Sequence, residues 1–405
     1  MEKFIHKTNC MKSVRVDRFV SFIDCDDIPV IFPTLFSMSM NKNGSICEQK
    51  KVVSKDTDEI EAIIKEREIS QSTINLYESV LLQFLHYAEQ QSKLDSKLPN
   101  VHMHTHATSE FINTYLNNYL ILEQEKGIHT VNQAISVLTS YYIYLSNFKI
   151  TDTKNLYIYP KLRKITQKNV KRNRAYSYIQ KSTRTMMLLE CKTLRDELLL
   201  RFGYETGLRT LENTSLFLND FTYAKKPEKG FLSLFGELKQ ESKEVFEYLL
   251  TITKARRSEG SPARKIYIPR ALLEKCHEYY LTERPESKSN SLFVSYEKNR
   301  SGNAITDKLA TRIFGEVRDR LLSSSVDNDI ILHEENSYHH LRHTFGTEKF
   351  HELCRGIPHH AITEGHAVVT EIARLMGHKI NKKEHAQEVT MRYIRSVDFM
   401  LTAEK

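Results

Sequence analysis

Cysteine is scarce and poorly spaced for chemistry. Cys10, Cys25, Cys47, Cys191, Cys276 and Cys354 lie scattered through 405 residues without a CxxC pair. That spacing builds neither a zinc ribbon nor a disulfide framework, so free thiols in a reducing compartment are expected. Long apolar runs are missing as well. No stretch approaches the roughly 18 apolar residues of a membrane helix, and residues 1–7 (MEKFIHK) lack the core of a signal peptide. There is no Walker A loop, no carboxylate cluster and no HExxH pair. His359, His360 and His366 have no acidic third ligand at helical spacing, so no metal centre is expected. No internal repeat is present.

What the chain does have is enough apolar sequence for a core, 40% of residues with 10% aromatic, and 59 basic against 51 acidic side chains. The resulting charge of +8 is moderate, so its placement matters more than its sum. The length allows two or three domains, and a cytosolic or nucleoid-associated location is expected. Residues 1–65 have weak periodicity and no assignable role; 29–36 reads as a short strand or an apolar docking arm. Residues 66–150 carry three amphipathic helices. The first, capped by Ser72 or Thr73, aligns Tyr77, Leu81, Phe84, Leu85 and Ala88. Thr108 or Ser109 opens the second, with Phe111, Ile112, Tyr115, Tyr119 and Leu122 on one face and Gly127 at its end. The third, capped by Thr130, turns Val131, Ala134, Ile135, Leu138, Tyr142 and Leu145 inward. Together they predict a small all-α domain whose aromatic stripes are core.

Within residues 151–178 lies the most lopsided charge: from Lys161 to Arg174 come Lys161, Arg163, Lys164, Lys168, Lys171, Arg172 and Arg174, with no acidic residue between them. This reads as an extended basic linker, either solvated or laid along a phosphate backbone, and composition does not choose between the two. The region 179–405 is predicted mostly helical around three β-like runs, 231–235, 246–252 and 265–268, the last closed by Pro269. The fold class expected is therefore mainly α with a small antiparallel β-sheet (α+β).

The chemistry-bearing residues cluster in this last region. His339-His340-Leu341-Arg342-His343-Thr344 places three imidazoles and a guanidinium within one and a half helical turns, with His339 and Arg342 on one face. Thr206-Gly207-Leu208-Arg209 precedes Glu212 by three residues, Met376-Gly377-His378 sits at an apparent helix end, and Tyr393 follows in a C-terminal segment. In order and local motif these residues resemble the tyrosine recombinase (phage integrase) family: a TGLR arginine, an HxLRHT box, a third box ending in GH, and a late tyrosine. The resemblance covers residues 66–405 and carries over a helical core-binding domain, the basic linker and a catalytic domain. Two places depart from the family pattern. His378 and Tyr393 lie 15 residues apart, a longer spacing than usual, and extra charged residues separate Asp220 from Phe246. For the family's β-hairpin lysine, Lys254 fits best, with Lys265 and Arg264 as alternatives.

The resemblance implies a reaction without metal or cofactor. Arg209 and Arg342 would clamp the non-bridging phosphate oxygens, whose negative charge repels a nucleophile. Lys254 would protonate the leaving 5′-oxygen, His339 would buffer the tyrosine proton, and His378 would donate to the phosphate. Tyr393 would attack to form a 3′-phosphotyrosine. Glu212 is either an orienter of Arg209 or an ordinary helix-face partner. His340 and His343 are assigned to structure, since one helix face cannot aim all three imidazoles at one phosphate. The partners implied are double-stranded DNA and other copies of the chain, four on two sites, each passing residues 394–405 to a neighbour. A type IB topoisomerase and a catalytically silent DNA-binding relative are the competing readings.

Overall fold

The computed structural model describes residues 1–7, 18–53, 60–169, 178–251, 263–324, 332–354, 356–358, 361–362, 366–378, 396–397 and 399–402, with the side chains of 7, 49–53 and 60–62 outside that description. The chain divides into two compact units, one of Met1–Arg172 and one of Asn173–Lys254 with Ser261–Lys405.

The first unit opens with an antiparallel sheet, β1 (Glu2–Lys7), β2 (Arg18–Ile23) and β3 (Pro29–Val30), in which Lys7 pairs with Arg18 and Phe22 with Val30. The 29–36 segment is a strand for only two residues. It then becomes α1 (Ile31–Asn43), whose inward residues Pro33, Phe36, Ser37 and Met40 follow a helical period that a window ending at 36 misses. A hairpin of β4 (Ser45–Val53) and β5 (Ile60–Glu68) leads to α2 (Gln71–Leu94). Ser70 caps α2 by accepting from the Thr73 N–H, two residues ahead of the expected Ser72 and three ahead of Thr73. Buried Glu78 on α2 accepts from both terminal nitrogens of Arg18 (3.0 and 2.8 Å), from Ser37 (2.7 Å) and from Asn41 (3.1 Å). That network, with Val20, Phe22, Phe36 and Met40 in the same core as Leu81, Phe84 and Tyr141, ties the first 45 residues to the helices.

Thr108 caps α3 (Ser109–Thr114), which continues as a π-helical stretch, Tyr115–Glu123. Gly127 does not end that helix. It is the N-cap of α4 (Ile128–Asn147), which begins ahead of the expected Thr130. Asn113 and Asn117, one turn apart, then hold the returning chain. Asn113 accepts from the Tyr157 N–H and donates to Asn155, while Asn117 accepts from the Tyr159 N–H and donates to Tyr157. The start of the basic segment is folded rather than extended: α5 (Arg163–Lys168) is helical, Thr166 is buried, and the Asn169 amide donates to the Ile121 carbonyl at 3.0 Å. Lys161, Arg163, Lys164 and Lys168 are exposed, whereas Lys171, Arg172 and Arg174 lie outside the described residues.

The second unit comprises α6 (Lys181–Leu189), α7 (Leu194–Glu205), a hairpin of β6 (Phe221–Tyr223) and β7 (Lys226–Glu228), α8 (Phe231–Gln240), a second hairpin of β8 (Val245–Leu250) and β9 (Arg264–Pro269), α9 (Arg270–Thr282), α10 (Leu309–Ser324), α11 (Tyr338–Cys354) and α12 (Ala367–Leu375). The expected strand at 231–235 is the first half of α8. Phe231, Leu234, Phe235 and Leu238 recur at three and four, and Gly230, bonded to Asp220 at 2.7 Å, starts the helix. The runs expected at 246–252 and 265–268 form antiparallel strands over 246–250 and 265–268, paired from Val245↔Pro269 to Leu250↔Arg264, while Ile252 lies outside the described residues. Leu198, Phe202, Leu272, Phe293, Ile313 and Leu341 share the main core, each such side chain worth about 1.5–3 kcal/mol on burial. A smaller cluster gathers Tyr178, Phe350, Val369 and Ile372 with Val397 and Met400. Among the described residues no helix is long and apolar enough to cross a membrane.

Candidate active site

Two helices of the second unit end in the same way, and each ending projects one of the motif side chains. Helix α7 runs out at Thr206, and Gly207 takes φ +68. A Cβ there would stand 2.5 Å from the Phe345 ring, so glycine is required by both angle and space. The chain then turns, and Arg209 follows. Helix α12 ends at Met376 with Gly377 at φ +59; the Gly377 N–H returns to Arg374 (3.0 Å) and the His378 N–H to Ala373 (2.8 Å), a Schellman ending. His378 thus lies just past a helix terminus, as its GH context predicts.

Glu212 is the hub. It is fully buried and begins a short 3₁₀ turn, Glu212–Ser215. Its Oε1 accepts from the Arg209 guanidinium at 2.8 Å, and its Oε2 from the Arg209 backbone N–H at 2.9 Å and from Arg264 at 2.7 Å. Arg342 stands 3.7 Å from Oε2. Burial alone would raise this carboxyl, but Arg264 and Arg342 outweigh it and hold it below the usual range. Glu212 thus bonds Arg209 through both of its oxygens, and one carboxylate faces three guanidiniums.

Arg342 is almost wholly buried on α11 and donates to the carbonyls of Gly207 and Met376. Arg209, partly exposed, also reaches the carbonyls of Met376 (3.3 Å) and Gly377 (3.4 Å). Three positive charges on one carboxylate leave a net +2. Burial first, then Arg342, Arg209 and Arg264, push the His378 imidazole down to about 3, so it stays neutral. His339 is exposed on the first turn of α11, its ring perpendicular to that of His343 with centroids 4.7 Å apart. His340 faces inward, its Nδ1 accepting from the Ser337 N–H at 3.0 Å, and Thr344 accepts from the Ile179 N–H at 2.9 Å. Tyr338 fixes the start of α11 to α7 through the Leu199 carbonyl (3.1 Å) and to the Glu212–Ser215 turn through the Asn213 amide (2.8 Å).

Of the sequence-selected residues, Arg209, Glu212, Arg342 and His378 share one locus. Lys254 and Tyr393 lie outside the described residues. Lys265 points away: it alternates with Arg264 along β9 and pairs on the outer face with Glu247 at 2.7 Å. Arg264 belongs to the cluster and entered the sequence reading only as a substitute for the lysine. Its signal is the strand alternation that buries Arg264, Ile266 and Ile268 while exposing Lys265 and Tyr267. His366 caps α12, its Nδ1 accepting from the Val368 N–H at 3.2 Å, and no group of potential metal ligands forms among the described residues.

No protein-family model matches the chain, and no curated protein sequence matches it. Solved structures do. XerA recombinase is similar over 83% of this chain and 92% of its own, at 16% identity and a TM-score of 0.34. The Tn1549 transposon integrase in complex with transposon right end DNA is similar over 83% and 93%, at 14% identity and 0.49. A lambda integrase tetramer bound to a Holliday junction is similar over 81% and 72%, at 13% identity and 0.47.

Proposed function

We propose that this chain is a site-specific DNA recombinase that cleaves and rejoins strands through a 3′-phosphotyrosine, serving the integration, excision or transposition of a mobile element. The observation that carries this reading is the buried Glu212 with Arg209, Arg264 and Arg342 around it, a net +2 locus set beside a neutral imidazole. A phosphodiester carries one negative charge and gains a second as a nucleophile adds, so the cluster matches the charge of the pentacoordinate state better than that of the ground state.

The Tyr393 hydroxyl attacks phosphorus, the bond to the 5′-oxygen breaks, and Lys254 gives that oxygen its proton. Arg209 and Arg342 hold the non-bridging oxygens, neutral His378 donates to one of them, and exposed His339 takes the tyrosine proton. The adduct conserves the phosphoester bond energy, and a second 5′-hydroxyl reverses the step on another strand. Double-stranded DNA is the partner, and four copies on two sites supply the exchanging strands.

Covalent capture tests the reading. The protein is expressed in cells carrying its native locus, DNA that stays attached after denaturation is recovered and sequenced, and Y393F is the control. Discrete ends with wild type alone are expected. Diffuse attachment throughout the genome would replace recombination by strand relaxation. No attachment from either protein, with binding retained, would reduce the chain to a DNA-binding relative.

A further inference from the structure

We propose that Arg264 is a positioning residue of this site, one that holds Arg342 and the His378 turn in place by occupying Glu212 and the end of α12; the proposal rests on the reading of the cluster as a phosphate seat. Arg264 rises from the first position of β9 onto the core face, with a side chain 7% exposed. One terminal nitrogen donates to the Leu375 carbonyl at 2.5 Å. The other reaches Glu212 Oε2 at 2.7 Å and the Gly207 carbonyl at 3.4 Å. A single planar fork thereby joins β9, the turn after α7 and the last turn of α12.

The consequence concerns Arg342. Glu212 Oε2 already takes two donors, Arg264 and the Arg209 N–H, and Arg342 is held 3.7 Å away on the carbonyls of Gly207 and Met376. Without the Arg264 guanidinium, Oε2 becomes an under-filled anion in a buried site, and Arg342 is the nearest cation able to fill it. Moving there breaks its carbonyl bonds and withdraws it from a phosphate. The Leu375 carbonyl, at the helix end that sets His378, also loses its donor. The chain is shaped to admit this side chain: a Cβ at Gly377 would stand 2.8 Å from Arg264 Cδ and 3.2 Å from Nε. Lysine could restore the charge but not the three acceptors reached at once.

The test uses the full-length chain and inorganic phosphate as probe, with affinity read by calorimetry and His378 titration by NMR, for wild type, R264M, R264K and R209A. R264M is expected to weaken phosphate about tenfold and to raise the His378 pKa. R264K should leave the His378 titration near wild type, because the charge remains, and still bind phosphate several-fold more weakly, because the fork is lost. R209A, which removes a direct contact, sets the scale. Wild-type phosphate affinity in R264M overturns the proposal, even where its melting temperature falls, since that is the behaviour of a merely structural arginine. Should R264M not fold, wild-type affinity in R264K does the same. A wild-type chain blind to phosphate sinks the phosphate-seat reading itself, whereas absence of a tyrosine adduct with phosphate binding intact touches only the recombinase reading.

Discussion

A buried carboxylate among three guanidiniums is the residue on which this site stands or falls. Glu212 is fully buried, and its negative charge is what makes the close approach of Arg209, Arg264 and Arg342 tolerable. E212Q keeps the shape and removes the charge, leaving three like charges with no counter-ion in a desolvated place. Breaking a buried ion pair from one side costs about 3–5 kcal/mol, and that loss of unfolding free energy is expected in denaturant titration. K265Q on the same strand is the control: its exposed partner Glu247 lies on the outer face, so it should unfold as wild type does. A neutral midpoint for E212Q would mean that the guanidiniums do not depend on this carboxylate. How legible this was follows from distance along the chain. Arg209 and Glu212 lie in one turn, and Arg342 and His378 sit in short boxes, so local motif was enough to find them. Arg264 was read only as a stand-in for Lys254, because its place in the cluster depends on the β8–β9 register and on the end of α12, more than a hundred residues away.

At the scale of elements, what the sequence disclosed was periodicity, and what it hid was where each period starts. The faces of α2, α3 and α4 were readable from their apolar spacing, yet two of the three caps fell elsewhere, on Ser70 and Gly127, since Ser, Thr and Gly near a helix start compete on nearly equal terms. The strand read at 231–235 became α8 because five residues with two aromatics fit either period; only Leu238 decides. The helix-end glycines are the clearer case. Gly377 sits at φ +59 with Arg264 beneath it, so G377A suffers both the left-handed penalty, about 1–2 kcal/mol, and contact with a guanidinium stem. Its melting temperature should fall, and the His378 resonances should move with it. A variant as stable as wild type with an unshifted His378 would show that the α12 ending does not set this side chain. The Asn113–Asn117 ladder is a second element-level device. N117A removes two bonds to the 157–159 backbone, worth about 1 kcal/mol each, and should speed limited proteolysis around Lys154 and Lys161. An unchanged cleavage pattern would assign that anchoring to the Asn113 bonds and to the packing of Leu156, Ile158 and Leu162.

For the whole molecule, each unit carries an imidazole kept neutral, buried at His104 and half-buried at His378, and this shapes the response to acid. Burial pushes His104 down to about 4 in the first unit, and burial with the arginines pushes His378 down to about 3 in the second. An unfolded imidazole titrates near 6.5, so below that pH the unfolded chain binds protons that the native chain refuses. Stability from these groups is full above pH 6.5 and falls as the pH drops toward 4. Melting temperatures should therefore decline from pH 7 to 5, and a flat profile would mean these rings are hydrated in solution. The charge of +8 raises the complementary question of where a polyanion would lie. Lys161, Arg163, Lys164 and Lys168 are not strung on a loose tether. They project from α5 and the turn before it, which Thr166, Leu162 and the Asn169 side chain fasten to the first unit. Cations held in fixed places release counterions together when they meet a phosphate backbone. Neutralising all four to glutamine should therefore lower the slope of log affinity against log salt by about 0.9 for each phosphate that goes unpaired, up to about 3.6. Because cations on the backbone carry no sequence information, affinity should fall equally on any duplex, read by fluorescence anisotropy at several salt concentrations. A slope unchanged by the fourfold substitution would place DNA away from α5, and a weakening confined to one sequence would mean these side chains read bases rather than phosphates.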